Sequence, residues 1–80
     1  MEQLTLINKQ RNRINIFKKF KSTLPQAEEL MEIEYACVHK RSSKPVIKGS
    51  RIETVEKARE EYKELITEGW RKTSIYNHYF

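Results

Sequence analysis

Only one cysteine, Cys37, occurs in these eighty residues, so an internal disulfide is excluded and a cysteine-based zinc site would need a second chain. A reducing compartment is the simplest setting. Glycine and proline are scarce, two of each, and no phosphate-cradling loop is present. No apolar run approaches the roughly 20 residues that cross a bilayer, and the amino terminus lacks the continuous apolar core of a signal peptide. The expectation is a cytoplasmic chain without a membrane anchor. Acid is missing from a long stretch: Lys9, Arg11, Arg13, Lys18, Lys19 and Lys21 lie in a segment with no Asp or Glu between Glu2 and Glu28. The first quarter is therefore strongly basic, within a net charge of +5.

Eighty residues make one small domain, residues 1–80, which buries about 60% of the surface its unfolded chain exposes. Hydrophobic residues at 38% and charged residues at 34% suit an ordinary soluble domain. A mean hydropathy of −0.82 leaves a thin core, however, which a partner or a homodimer can complete. The clearest element is an amphipathic helix from Thr54 to Glu68. Val55, Ala58, Tyr62, Leu65 and Ile66 recur at helical spacing and form one apolar stripe among charged residues. Thr54 can cap the first turn, Glu53 and Glu56 suit the positive end of the helix dipole, and Gly69 can take the left-handed conformation that closes the helix.

Before the helix, period-two alternation dominates. Leu4 and Leu6, then Ile14 and Ile16, flank a polar interval with asparagines at 8 and 12, which predicts a hairpin with those four side chains on one sheet face. A helix from Ile16 to Leu24 is the competing reading, since Phe17, Phe20 and Leu24 also fit helical spacing. Pro25 can start a short helical turn through Leu30. Met31, Ile33, Tyr35 and Cys37 then alternate as a half-buried strand. After a basic turn, Val46 to Ile52 read as a short extended approach to the helix. The expected fold is α+β: a small antiparallel sheet of residues 3 to 8, 12 to 20 and 31 to 40, packed against one amphipathic helix. Residues 71–80 read as a docking tail or an extra strand.

Three separated pieces carry a likeness. The opening Leu6-Ile7-Asn8 to Ile14-Asn15-Ile16-Phe17, the stretch Pro45-Val46-Ile47-Lys48-Gly49-Ser50-Arg51, and the run Glu56 to Trp70-Arg71 together resemble a family of short cyanobacterial proteins classed as a domain of unknown function. In that family a hairpin precedes a Lys-Ser-Arg-like segment and a helix ending in Gly-Trp-Arg. The chain differs in having no tryptophan in its second strand, in the interposed residues 22–44, and in continuing past the Gly-Trp-Arg motif to Phe80. The resemblance implies a small sheet with one helix, and it carries over no catalytic residue.

Candidate chemistry is sparse. Cys37 and His39 are two apart, but Cys-x-His supplies too few ligands for zinc, and His78 is distant, so no metal and no cofactor are expected. The same two residues lack a third orienting group for nucleophilic catalysis, and Glu60, Glu61 and Glu64 sit beside Lys57 and Lys63 on a solvated helix surface. Trp70, after the closing glycine, reads first as packing over the last turn and second as an interface anchor. The expected function is thus a non-enzymatic accessory or regulatory protein. Its partner-binding residues are Arg11, Arg13, Lys18, Lys19 and Lys21 on the basic hairpin and Tyr76, Tyr79 and Phe80 in the aromatic tail. The expected partner is a larger protein or complex with an acidic surface. The alternative is a nucleic-acid-binding protein, because basic residues interleaved with Phe17 and Phe20 match phosphate contacts plus stacking surfaces.

Overall fold

The alternating segments become strands in the computed structural model, which describes residues 3–20, 30–39 and 44–74. They are β1 (Gln3–Ile7), β2 (Arg13–Phe20) and β3 (Leu30–Cys37), followed by β4 (Val46–Thr54), the helix α1 (Val55–Thr67) and a two-residue β5 (Arg71–Lys72). The sheet order is β4-β3-β2-β1-β5 with every neighbouring pair antiparallel. The fold is α+β, as the sequence predicts. Residues 13–20 settle as strand, so the competing helix from Ile16 is not formed there. The proposed turn after Pro25, Lys21, most of the basic turn before Pro45, His78 and the aromatic tail lie outside the described residues.

Both helix caps form as their residues require. Thr54 has an extended backbone and its hydroxyl accepts from the Lys57 N–H at 3.3 Å. At the other end Gly69 takes φ +104°, its N–H reaches the Ile66 carbonyl at 3.0 Å, and the Trp70 N–H reaches the Leu65 carbonyl at 2.9 Å. This pair of bonds is the Schellman arrangement, which satisfies carbonyls that would otherwise end unpaired.

The strand registers fix how the helix lies. Thr54 pairs with Leu30 at one end of the sheet, whereas Arg71 pairs with Ile7 at the other end and the other edge. The helix must therefore cross one sheet face on a diagonal. Its thirteen residues span about 20 Å at ~1.5 Å per residue, enough to cross strands spaced about 4.8 Å apart. Under it, Leu6, Phe17 and Ile33 pack with Ala58, joined by Met31, Tyr35, Tyr62, Leu65 and Trp70. Phe17 meets Tyr62 edge to face, centroids 5.7 Å apart. A second buried cluster, Ile7, Ile14, Ile16 and Ala36 with Val38, lies on the opposite sheet face.

Three expectations need correction. Leu6 and the Ile14–Ile16 pair occupy opposite faces, because the turn sets Ile7 against Ile14 and Leu6 against Asn15. Alternation within each strand is right; the phase between strands belongs to the turn. Ile66 is 42% exposed, at the rim of the stripe rather than in it. The segment before the helix is a full nine-residue strand at the sheet edge, with a register shift where β3 passes from Tyr35 to Ala36. Its alternation is broken by that irregularity and by Gly49, which hides a strand from periodicity.

Candidate functional site

The β1–β2 turn is built by asparagine. Asn8 Oδ1 accepts from the backbone N–H of Asn12 at 2.9 Å and of Arg13 at 3.0 Å, and its Nδ2 donates to Asn12 Oδ1 at 2.7 Å. Arg11 then adopts φ +59°, a left-handed conformation closed by its N–H to the Asn8 carbonyl at 3.0 Å. The turn is thus a braced loop that carries Lys9, Arg11 and Arg13 at one end of the sheet.

The diagonal helix delivers further cations to the same end. After Gly69 the chain pairs with β1 as β5, so Arg71 and Lys72 arrive beside the turn, and the Thr73 N–H bonds the Thr5 carbonyl at 2.9 Å. A groove lined by Lys9, Arg11, Trp70, Arg71 and Lys72 follows. A second groove joins Lys9 and Arg13 across Trp70. A third, about 410 Å³, opens on the helix-side sheet face and is lined by Arg13, Asn15, Tyr35, Cys37, Lys48 and Trp70. Trp70 borders all three while its other side packs on the helix-side core. One indole is the hub of a continuous cationic track.

Among the described residues, none of Lys9, Arg11, Arg13, Lys48, Arg71 and Lys72 is in an ion pair. Two features oppose the positive field. Glu68 lines the second groove, and the helix carbonyl end faces this corner without a basic residue in its last turn. Lys9 comes from the turn to that end: a Cβ on Gly69 would overlap the Lys9 side chain at Cε. Glycine at 69 thus serves both the backbone conformation and the seat of Lys9.

The wall between this corner and the helix is an ion-pair cluster. Arg51 pairs with Glu53 at 3.3 Å and with Glu61, and its guanidinium lies over the Tyr35 ring, 5.5 Å from the centroid. The Tyr35 hydroxyl is buried without a hydrogen-bond partner. Burial first, and then the Glu61 carboxylate, hold that hydroxyl above its ordinary value against the opposing pull of Arg51. Glu61 is also raised, by burial first; Arg51 opposes the rise and Glu53 and Glu64 add to it.

The residues singled out in the sequence separate. Arg11 and Arg13 lie at the turn. Lys18 and Lys19 lie toward the far end of β2, about 17 to 20 Å from Arg13 at ~3.4 Å per residue. Lys18 is held by Glu34 on β3, a contact that register creates and sequence spacing does not announce. Lys21, Tyr76, Tyr79 and Phe80 fall outside the described residues. Lys9, part of the acid-free run but not one of the expected binding residues, joins the corner, as do Lys48, Arg71 and Lys72, which had not been singled out; the signal available for two of them was Trp70-Arg71-Lys72 at the helix exit. Cys37 is half-buried in the third groove and His39 is exposed. Among the described residues no group of three His, Cys, Asp or Glu could hold a metal ion. No helix of the described residues is long and apolar enough to cross a membrane.

No protein family, curated protein or solved structure matches this chain.

Proposed function

We propose that this chain is a non-enzymatic accessory protein that docks an anionic surface of a larger macromolecule on the corner formed by the β1–β2 turn and β5. The observation that carries this reading is the meeting of Lys9, Arg11 and Arg13 with Arg71 and Lys72 around a half-buried tryptophan, none of these cations being neutralised by an ion pair among the described residues. Low-dielectric walls beside clustered charge strengthen its field and speed encounter with anions. The braced turn supports the reading too, because an ordered loop loses little entropy when a partner binds. Tyr76, Tyr79 and Phe80, which follow β5 in sequence, are the aromatic anchors of this reading.

The test separates the two ends of β2. A corner variant with Arg11, Arg13, Arg71 and Lys72 changed to glutamate, and a control with Lys19→Glu, are compared with wild type for retention on immobilised heparin as a generic polyanion. Circular dichroism checks that each variant is folded. The corner variant is expected to elute at far lower salt, with the control close to wild type. Undiminished retention by a folded corner variant would falsify the assignment.

A further inference from the structure

A diagonal helix leaves two corners of its sheet face uncovered, and the one at the turn end has a floor unlike an ordinary core. Asn15, 7% exposed, lines that basin with its carboxamide open to it, beside the Tyr35 hydroxyl, which is buried and has no hydrogen-bond partner among the described residues. A buried polar atom without a partner normally costs stability, so the Tyr35 hydroxyl calls for a ligand or ordered water that bonds it, and the Asn15 carboxamide beside it is open to the same ligand. Trp70 forms one wall, and Arg13 and Lys48 rise on either side. The volume, about 410 Å³, lies within the range of about 300–1,000 Å³ in which proteins take small ligands.

Resting on the function proposed above, we infer that the anionic partner is a single-stranded nucleic acid, one base of which enters this basin, stacks on Trp70 and bonds Asn15. The carboxamide presents a donor and an acceptor side by side, the pattern that pairs with the edge of a base. Arg13 and Lys48 take the flanking phosphates, and the track continues through Lys9 to Arg71 and Lys72. Such a combination of stacking surface and cationic groove is what binding to an unpaired strand requires, because every base has a π face while the backbone supplies the charge. An acidic protein surface would use the cations and leave both the basin and Asn15 empty. A duplex would keep its bases stacked and out of reach of Trp70.

Trp70 is the chain's only tryptophan, so its fluorescence reports directly on the basin. Wild-type protein is titrated with a short single-stranded oligonucleotide, with the same backbone carrying abasic sites, with polyphosphate, and with a glutamate-rich peptide. The expected result is quenched emission with the oligonucleotide and an affinity about tenfold or more above that of the abasic strand. Asn15→Ala, checked for fold by circular dichroism, should narrow that ratio and leave polyphosphate binding unchanged. Trp70→Phe, which keeps an aromatic wall, should retain more of the ratio than Trp70→Leu. Equal binding of intact and abasic strands without quenching overturns the base pocket and leaves the cationic corner standing. Binding of the peptide in preference to any oligonucleotide overturns it in favour of a protein partner. Failure of all four anions to bind sinks both this inference and the function on which it rests.

Discussion

The two corners left open by the helix lie on the same face of the same sheet and differ in almost everything else. At the turn end the floor is Asn15, Tyr35 and Cys37, with Arg13, Lys48 and Trp70 around it. At the far end, Leu4, Phe17 and Met31 form a floor beside Ala58 and Tyr62, an apolar hollow of about 220 Å³ with Arg59 and Lys63 at its rim. Asn15 and Phe17 are two residues apart on β2 and point the same way. One position carries a carboxamide where a leucine would fit the alternation, and the other carries the largest fully buried side chain among the described residues. A sheet face is therefore not one environment: where the helix runs decides which positions need apolar side chains and which are released to hold polar ones.

The contrast can be broken most forcefully on β2 itself. Phe17→Ala removes an aromatic ring from beneath the helix and from its contact with Tyr62, and should cost about 3–5 kcal/mol in urea or thermal unfolding. Asn15→Ala deletes no intramolecular hydrogen bond and should cost under about 1 kcal/mol. If the two substitutions destabilise equally, the turn-end corner belongs to the core and the distinction between the corners collapses.

Next in size is Gly69→Val, which places a β-branched residue at φ +104° and drives its Cβ into Lys9. The expected loss is about 1–3 kcal/mol. It should come with weaker retention on heparin even where the protein remains folded, because Lys9 must leave its seat. A variant that loses stability and keeps full retention would show that Lys9 contributes nothing to the cationic track.

What was legible in the sequence was mostly local. The helix with its caps at Thr54 and Gly69 depends on spacing and on residues next to one another, and both caps formed as read. The hairpin, the third strand and the α+β class followed from alternation. The assignment of Ile14 and Ile16 to the face of Leu6 failed because strand phase is set across the turn, a non-local quantity that alternation within one strand does not contain. The nine-residue length of β4 was hidden because an edge strand has no need to bury a full face, and Lys48-Gly49-Ser50-Arg51 gives no alternation to count. The corner was half legible: Arg11 and Arg13 are visible as an acid-free run. Arg71 and Lys72 reach them only because the helix length matches the diagonal of the sheet.

The smallest expected effect concerns Glu61, on the wall that divides the polar corner from the helix. Burial raises its pKa more than Arg51 lowers it, so the folded chain holds the Glu61 proton more tightly than the unfolded chain does. A raised folded value contributes stability that is fully present below the unfolded carboxylate value and is lost as pH rises through the folded one. Wild type should therefore lose stability relative to Glu61→Gln as pH is raised from about 4, the ordinary carboxylate range, toward neutrality. Parallel urea titrations of the two proteins across that window measure the slope directly, with carboxylates remote from Glu61 cancelling in the difference and Glu53 and Glu64, which repel it, contributing in the same direction. A difference that grows in favour of wild type as pH rises would mean that attraction to Arg51 outweighs burial. The wall beside Tyr35 would then be held by an ionised pair, and the field at the turn-end corner would be less positive than the unpaired cations alone imply.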